Sequence, residues 1–230
     1  MLSLYYMEKR FMNSDLAQIS DGKLYGLNDM VKVGCHDCAG CSDCCRDMGE
    51  SILLDPYDIF RLEKNLGQTF EQLLSGPVEL HVDEGLILPN LKMQGNEKPA
   101  CTFLNEQGRC KIHAFRPGLC RLFPLGRNYE EDKLNYFLLI HECPMKNKSK
   151  MKVSRWIDTE QVKEYEKFLV SWHNFTKRLR AEIAAYTSEE TIKQLNMRFL
   201  QTFYLRSYEQ EDFYAEFWKR MEEAKISLLR

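Results

Sequence analysis

Cysteine, glycine and proline are confined to one part of this chain. All nine cysteines, twelve glycines and seven prolines of the 230 residues lie within residues 1–144. Glycine and proline disfavour helix interiors, so a long segment that lacks both can form helices at little cost. We therefore predict three consecutive parts: a lead segment over 1–30, a cysteine-rich domain over 31–146 and a helical domain over 147–230.

The helical domain carries three signals for helix starts. Asp158, Thr187 and Ser207 are each followed three residues later by Glu or Gln. This spacing is typical of a capping box, in which side chains satisfy free amides of the first turn. Apolar residues recur at helical spacing after each signal, which predicts a three-helix all-α unit. We expect its aromatic residues to form a core, with a groove for a protein substrate as the alternative.

The cysteine-rich domain shows shorter and more varied patterns. Asp55 and Pro56 predict a helix start, Gly67 predicts its end, and a second short helix is expected over 69–74. Five apolar segments predict short strands: VELHV, LILPNLKM, CTFL, RCKIH and NYFLLI. The predicted fold class is α+β: a small, irregular cysteine-rich metal-binding unit with short helices and strands, followed by the all-α unit.

Five cysteines fall within the eleven residues from Cys35 to Cys45. Two thiolates separated by two residues can turn around one metal, because such a loop brings both sulfurs within ~2.3 Å of the ion. The spacing Cys35-x2-Cys38-x2-Cys41-x3-Cys45 also matches the bacterial ferredoxin run, although Arg46 stands where that run has proline. The cluster therefore predicts metal binding and permits either zinc or an iron–sulfur cluster.

A second group of cysteines follows further along the chain. Cys101 and Cys110 flank an NEQG turn, so we expect them to face each other across a hairpin. His113 and His141 are weaker candidates, since single histidines are more often ordinary polar residues. An all-cysteine donor set favours [4Fe-4S], with zinc as the alternative, in one or two sites. The candidate ligands are Cys35, Cys38, Cys41, Cys44, Cys45, Cys101, Cys110, Cys120 and Cys143.

Charge and hydropathy exclude several classes of partner. The formal net charge is −2, with 32 basic and 34 acidic residues, so no global basic field favours nucleic acid or an anionic membrane. The basic run over 146–152 is expected to be a solvated connector. Neither a signal peptide nor an apolar run of ~20 residues is evident, so we expect a cytoplasmic protein. In that reducing compartment, dense cysteine favours metal or redox chemistry over disulfides.

Three stretches carry a resemblance to a known family. They are Cys44-Cys45, the segment Cys110-Lys-Ile-His-Ala-Phe-Arg116-Pro117, and Cys120-Arg121-Leu-Phe123-Pro124. Residues 33–145 thereby resemble the cysteine-cluster proteins described as zinc- or iron-chelating, which include the flagellin lysine N-methylases. The family's cysteines correspond to Cys35, Cys38, Cys44, Cys45, Cys101, Cys110 and Cys120, with Cys143 added; Cys41 is an extra cysteine relative to the commoner spacing.

The resemblance implies a bound metal centre. For the flagellin-methylase branch it implies a [4Fe-4S] cluster with S-adenosylmethionine as methyl donor to lysines of a protein such as flagellin. Arg116 and Arg121 are then the candidates to hold the carboxylate of the donor. No G-x-G-x-x-G segment follows a predicted strand, so an ordinary Rossmann-type methyltransferase is not indicated.

The resemblance and the residues together leave three functions open. The resemblance implies a cluster-dependent protein lysine methylase. The alternatives are a non-enzymatic module that stores, delivers or senses iron or zinc, and a structural zinc domain for protein contacts. The sequence predicts no catalytic residue, since it has no strong Ser/His/Asp, phosphate-loop or paired-carboxylate motif.

Overall fold

Four two-stranded sheets and helices of very different length make up the described part of the chain. A computed structural model describes residues 18–35, 41–209 and 212–229. The fold class is mixed α+β with a helical C-terminal region, as predicted. The described residues divide into two compact units, one within 18–52 and 92–166 and the other within 53–91 and 167–229. The three consecutive domains inferred from the sequence stay a prediction.

All four strand pairs are antiparallel: β1 with β8, β2 with β3, β4 with β5, and β6 with β7. The strands are β1 (Met30–Gly34), β2 (Val78–Asp83), β3 (Leu86–Leu91), β4 (Met93–Gln94), β5 (Ala100–Cys101), β6 (Leu125–Glu130), β7 (Lys133–Leu138) and β8 (Ser149–Lys152). The helices are α1 (Pro56–Leu66), α2 (Phe70–Leu74), α3 (Gly118–Leu122), α4 (Val153–Ile157), α5 (Val162–Ala184), α6 (Glu189–Leu200) and α7 (Phe213–Leu228). None of the described helices is long and apolar enough to cross a membrane.

In the first unit, one tyrosine hydroxyl binds two buried arginines. Arg121 of α3 and Arg127 of β6 donate N–H groups to the hydroxyl oxygen of Tyr165, at 3.5 and 3.1 Å. Both guanidinium groups also lie over the Tyr165 ring, 5.6 and 5.9 Å from its centroid, a cation–π arrangement. These contacts fix α3, which carries Cys120, to β6 and to the first turn of α5.

In the second unit, α1 and α2 begin as the sequence predicts. The Asp55 side chain accepts a hydrogen bond from the Asp58 N–H at 2.8 Å, and Asp58 accepts one from the Asp55 N–H. Gly67 ends α1 with a φ of 65°, which glycine adopts without strain. The Thr69 side chain likewise accepts from the Gln72 N–H at the start of α2. Both predicted helices are therefore confirmed.

The capping side chain of α1 yields a first stability prediction. Asp55→Ala removes the acceptor for the Asp58 N–H and is expected to lower the free energy of unfolding by about 1 kcal/mol. Asp55→Asn is the matched control, because asparagine caps as well as aspartate and should stay near the wild-type value. Urea denaturation of the three proteins measures both effects. Equal losses for the two variants would contradict the capping explanation.

Aromatic rings fill the core of the second unit. The Trp172 ring stacks on Phe199 at 5.6 Å and meets Phe203 edge-on at 5.0 Å, while Phe168 meets Phe217 edge-on at 4.6 Å. These rings are buried, as expected for core residues. Offset and edge-to-face contacts are the geometries that aromatic pairs prefer, so the five rings stabilise each other beyond their burial.

Side chains from α5 and α6 hold the turn of the β2–β3 hairpin. Arg180 forms an ion pair with Asp83 at 2.7 Å. Asn196 accepts a hydrogen bond from the Ile87 N–H at 2.7 Å and donates one to the Gly85 carbonyl at 3.0 Å. A Cβ at Gly85, where φ is +84°, would lie 2.7 Å from Ile183. The turn therefore needs glycine for both conformation and space.

The helix starts in the C-terminal region correct all three sequence predictions. Asp158 ends α4 with a φ of 47°, and α5 begins only at Val162. Helix α6 is capped by Ser188, whose hydroxyl accepts from the Thr191 N–H, and not by Thr187. Helix α7 begins after Asp212, and Ser207 does not start it. Two other structures explain the change at Ser207: α6 continues into a π-helical segment over Gln201–Leu205, and the Ser207 carbonyl accepts a hydrogen bond from the more distant Arg220.

Three segments of the first unit also differ from expectation. CTFL is not a strand beyond Cys101 of β5, because Thr102 and Phe103 form a turn and Leu104 makes only a bridge. RCKIH is not a strand, because only Cys110 forms a bridge, to Leu104, and a 3₁₀ turn begins at His113. The basic run over 146–152 is not entirely a connector, because Ser149–Lys152 forms β8. Its partner β1 lies more than a hundred residues earlier in the chain, so no local pattern signals the pairing.

Candidate metal centre

The first cysteine cluster is attached to the second group through the backbone. Cys45 ends a 3₁₀ turn over Asp43–Cys45, in which its N–H donates to the Ser42 carbonyl at 2.9 Å. The next residue, Arg46, forms an antiparallel bridge with Ala100, and the Asp47 N–H donates to the Pro99 carbonyl at 2.7 Å. Since Ala100 precedes Cys101, this pairing sets Cys45 beside Cys101.

The loop from Cys101 to Cys110 folds back on itself around the predicted NEQG turn. The Gly108 N–H donates to the Asn105 carbonyl at 2.9 Å, and Gly108 has a φ of +70°. Leu104 bridges Cys110, and the Leu104 N–H donates to the Cys101 carbonyl at 2.8 Å. The loop thus carries Cys110 back toward Cys101.

The sulfurs of Cys101 and Cys110 have matching backbone donors. Each accepts a hydrogen bond from the N–H two residues further along, Phe103 and Ile112 respectively. Burial raises the pKa of Cys101 to about 11, and burial also raises the pKa of Cys110. The charge of Cys45 raises the pKa of both thiols as well, which shows that the three sulfurs lie within electrostatic range of one another.

The pKa of Cys45 is shifted in the opposite direction to those of Cys101 and Cys110. A hydrogen bond from the Cys44 thiol lowers the pKa of Cys45 to about 7, with Arg116 and Arg46 acting in the same direction against the effect of burial. Cys45 is therefore the readiest of these thiols to supply a thiolate. A cation bound here would supply the charge needed to ionise Cys101 and Cys110 too, since metal ligation deprotonates thiols.

Arg116 is held from two directions beside these sulfurs. Its guanidinium donates to Nε2 of His113, and its carbonyl accepts a hydrogen bond from Arg121 at 3.1 Å. The guanidinium charge lowers the pKa of both Cys45 and Cys110, so it lies near both thiols. Arg121 is only 2% exposed and also binds Tyr165. Arg121 thus supports the backbone of Arg116. That either arginine binds the carboxylate of S-adenosylmethionine stays a prediction.

One family model matches this region of the chain. The model is CxxCxxCC, described as a "putative zinc- or iron-chelating domain", and the match runs over residues 37–152, just over half of the 230 residues. The chain belongs to the CxxCxxCC family. The other comparisons found no matching curated protein and no matching solved structure.

In the CxxCxxCC domain, three of the nine predicted ligands, Cys45, Cys101 and Cys110, lie within electrostatic range of one another. A fourth, Cys44, forms a hydrogen bond with Cys45. Cys35 directly follows β1, and Cys120 lies in α3. Cys143 lies in the loop before β8, where its carbonyl accepts a hydrogen bond from Lys148 at 3.0 Å. Cys41 is half-buried just ahead of the 3₁₀ turn. Cys38 lies outside the described residues.

The donor set of the CxxCxxCC domain fits a soft metal centre in its chemistry. Thiolates, backbone N–H donors to sulfur and an adjacent guanidinium are the features that stabilise a negatively charged cysteinate centre. Within the described parts of the chain, no three Cys, His, Asp or Glu side chains form a group that could hold a metal ion. The four cysteines are neighbours and not a closed coordination sphere, so all nine ligand assignments stay predictions.

Several contributors to the CxxCxxCC site were missed at the sequence level. Phe103 and Ile112, whose N–H groups donate to sulfur, each come two residues after their cysteine. This Cys-x-apolar spacing is visible in the sequence. The bridge between Arg46 and Ala100 has no such signal, because the pairing is not local. His113 was a candidate ligand, yet its Nε2 is engaged by Arg116.

Proposed function

We propose that this protein binds a metal through a centre built on Cys44, Cys45, Cys101 and Cys110. The observation that carries the proposal is the convergence of Cys45 with Cys101 and Cys110 beside Arg116. The family description, a zinc- or iron-chelating domain, supports the same class of function. A centre of this kind requires thiols to stay reduced, which favours a reducing compartment such as the cytoplasm.

A [4Fe-4S] cluster is the metal group that these donors favour. The converging side chains are thiols, and all-cysteine sets are typical of cubane clusters. Hydrogen bonds to sulfur and a nearby cation would stabilise the reduced, more negative cluster. Zinc is the alternative, because four thiolates also satisfy its tetrahedral preference.

Anaerobic purification separates the two metals directly. The expected result is a brown protein with about four irons and four sulfides per centre, as a cubane requires. A colourless protein with stoichiometric zinc would replace the cluster with a zinc site while keeping the metal-binding function. A protein that binds neither metal, after reconstitution with iron and sulfide or with zinc, would contradict the proposal altogether.

Methyl transfer from S-adenosylmethionine to a protein lysine is the second candidate. Arg116 favours it, because its guanidinium lies near Cys45 and Cys110, where the carboxylate of a donor could be bound beside the centre. The resemblance to flagellin lysine N-methylases gives flagellin as the first substrate to try. The methyl group would pass from the sulfonium to a lysine amine, giving methyl-lysine, S-adenosylhomocysteine and a proton.

Calorimetric titration of S-adenosylmethionine into the metal-loaded protein tests this second candidate. Binding that weakens at least tenfold in Arg116→Gln and is largely kept in Arg116→Lys supports it. Metal binding without any affinity for the donor would instead favour a non-enzymatic module that stores, delivers or senses metal. Incubation with labelled donor and flagellin then shows whether a lysine is methylated.

A further inference from the structure

One face of the two-stranded sheet of β1 and β8 carries three lysines. Lys32 lies opposite Lys150 in this sheet, and Met30 lies opposite Lys152. Because directly opposed residues of an antiparallel pair share a face, these four side chains lie together. All four are exposed, Met30 to 49%, whereas Val31 on the other face is buried. We call these four exposed residues the lysine face.

The lysine face places like charges directly opposite each other. Opposed side chains in a sheet have Cβ atoms ~4.5–5.5 Å apart, and like charges at that separation destabilise the pairing. The β6–β7 sheet of the same unit shows the favourable arrangement, since Lys133 lies opposite Glu130. Among the described residues, no ion pair is formed by Lys32, Lys150 or Lys152. The lysine face therefore carries positive charge that no described carboxylate offsets by direct pairing.

We propose that the lysine face binds an acidic segment of another protein in extended conformation. Alternate side chains of an extended chain point to one side and lie ~6.4–6.8 Å apart, which is also the spacing of Lys150 and Lys152 along β8. A segment with aspartate or glutamate at every second position can offer one carboxylate to each of these two lysines. Lys32 adds a third charge from the neighbouring strand, and Met30 adds apolar contact of a kind enriched at protein interfaces.

The small size of the lysine face favours a short acidic segment over larger anions. Basic clusters that bind anionic lipid contain roughly four to eight lysines or arginines. A nucleic-acid contact that covers roughly 6–10 phosphates needs a longer basic track. The lysine face has three lysines on a chain of net charge −2. A short peptide can contact these three lysines without meeting the acidic residues elsewhere on the surface, as a membrane or a long nucleic acid would.

Fluorescence anisotropy of a labelled peptide of alternating glutamate and serine tests the proposal on the full chain. Wild-type protein should bind this peptide in low salt, and the affinity should fall as added salt screens the exposed charges. Lys150→Glu and Lys152→Glu should each weaken binding about tenfold, because each replaces an attraction with a repulsion. Lys133→Glu is the matched control, since Lys133 is an exposed strand lysine outside the lysine face and its variant should keep the wild-type affinity.

Urea denaturation of the same variants separates binding from support of the fold. Lys150→Glu sets a carboxylate opposite Lys32, so its urea midpoint should rise above the wild-type value while its affinity for the peptide falls. Opposite changes of stability and binding are what a surface kept for a partner should show. A lower midpoint together with weaker binding would mean that Lys150 supports the sheet itself, and would overturn the proposal.

Further outcomes of the binding experiment would also overturn the proposal. They are no binding of the peptide up to about 0.5 mM protein, binding that does not respond to salt, and an equal loss of affinity in Lys133→Glu. Tighter binding of a ten-nucleotide single strand or of phosphatidylserine vesicles would assign the lysine face to another class of partner. Equal affinity for a peptide of the same composition with its glutamates in one block would contradict the extended conformation, because the alternating spacing would then not matter.

Discussion

Arg220→Ala is expected to lower the free energy of unfolding by about 3–5 kcal/mol. Arg220 of α7 is fully buried and forms an ion pair with Glu216, one turn earlier. Its guanidinium also donates to the carbonyls of Thr202, Arg206 and Ser207, and it lies 3.8 Å from the centroid of the Tyr208 ring. Removing it takes away the nearest cation of the buried Glu216 carboxylate and a donor to three carbonyls at the end of the π-helical segment.

The measurement is urea denaturation followed by tryptophan fluorescence, with hydrogen exchange of α7 to locate the loss. Lys219→Ala is the matched control, because Lys219 is the exposed neighbour in the same helix and should change stability by less than about 0.5 kcal/mol. Combining Arg220→Met with Glu216→Leu should recover part of the loss, since the buried carboxylate that lost its nearest cation is then gone. A loss in Arg220→Ala no larger than in the control would contradict the role of this ion pair.

Local chemistry explains which parts of the fold were predictable. Asp55, Pro56 and Gly67 define α1 because a cap, a first-turn proline and a left-handed glycine act within one or two turns. Thr69 acts in the same way for α2. The start of α7 was misplaced because Ser207 has the right sequence pattern, but tertiary contacts with Arg220 take its carbonyl.

Contacts between distant residues explain what was missed. β1 and β8 are separated by more than a hundred residues, and the residue pattern of neither strand indicates that it pairs with the other. At the candidate site, the cysteine spacing in the sequence identified thiols as the candidate ligands. It did not indicate that Arg46 pairs with Ala100, which sets Cys45 beside Cys101, or that His113 binds Arg116.

Cys45→Ser is expected to reduce the metal bound per chain at least tenfold. Loss of a partner that only supports a ligand typically costs 10–100-fold in metal affinity, so loss of a ligand should cost at least as much. Cys45 is the thiol whose pKa is lowered to about 7 by its Cys44 hydrogen bond, and its charge acts on both Cys101 and Cys110. A serine hydroxyl in its place supplies no thiolate. Anaerobic reconstitution followed by iron, sulfide and zinc analysis gives the metal content.

Cys101→Ser should lose metal to a similar extent, because its sulfur lies within electrostatic range of Cys45 and accepts the Phe103 N–H. Cys143→Ser is the informative comparison, since the structure places Cys143 in the loop before β8 with its carbonyl bound by Lys148. If Cys143→Ser retains the wild-type metal content, the centre rests on the four converging cysteines. If it loses as much metal as Cys45→Ser, Cys143 is also a ligand and the four-cysteine centre is incomplete. Wild-type metal content in Cys45→Ser would contradict the proposed site. The proximity of these thiols would then have no role in metal binding.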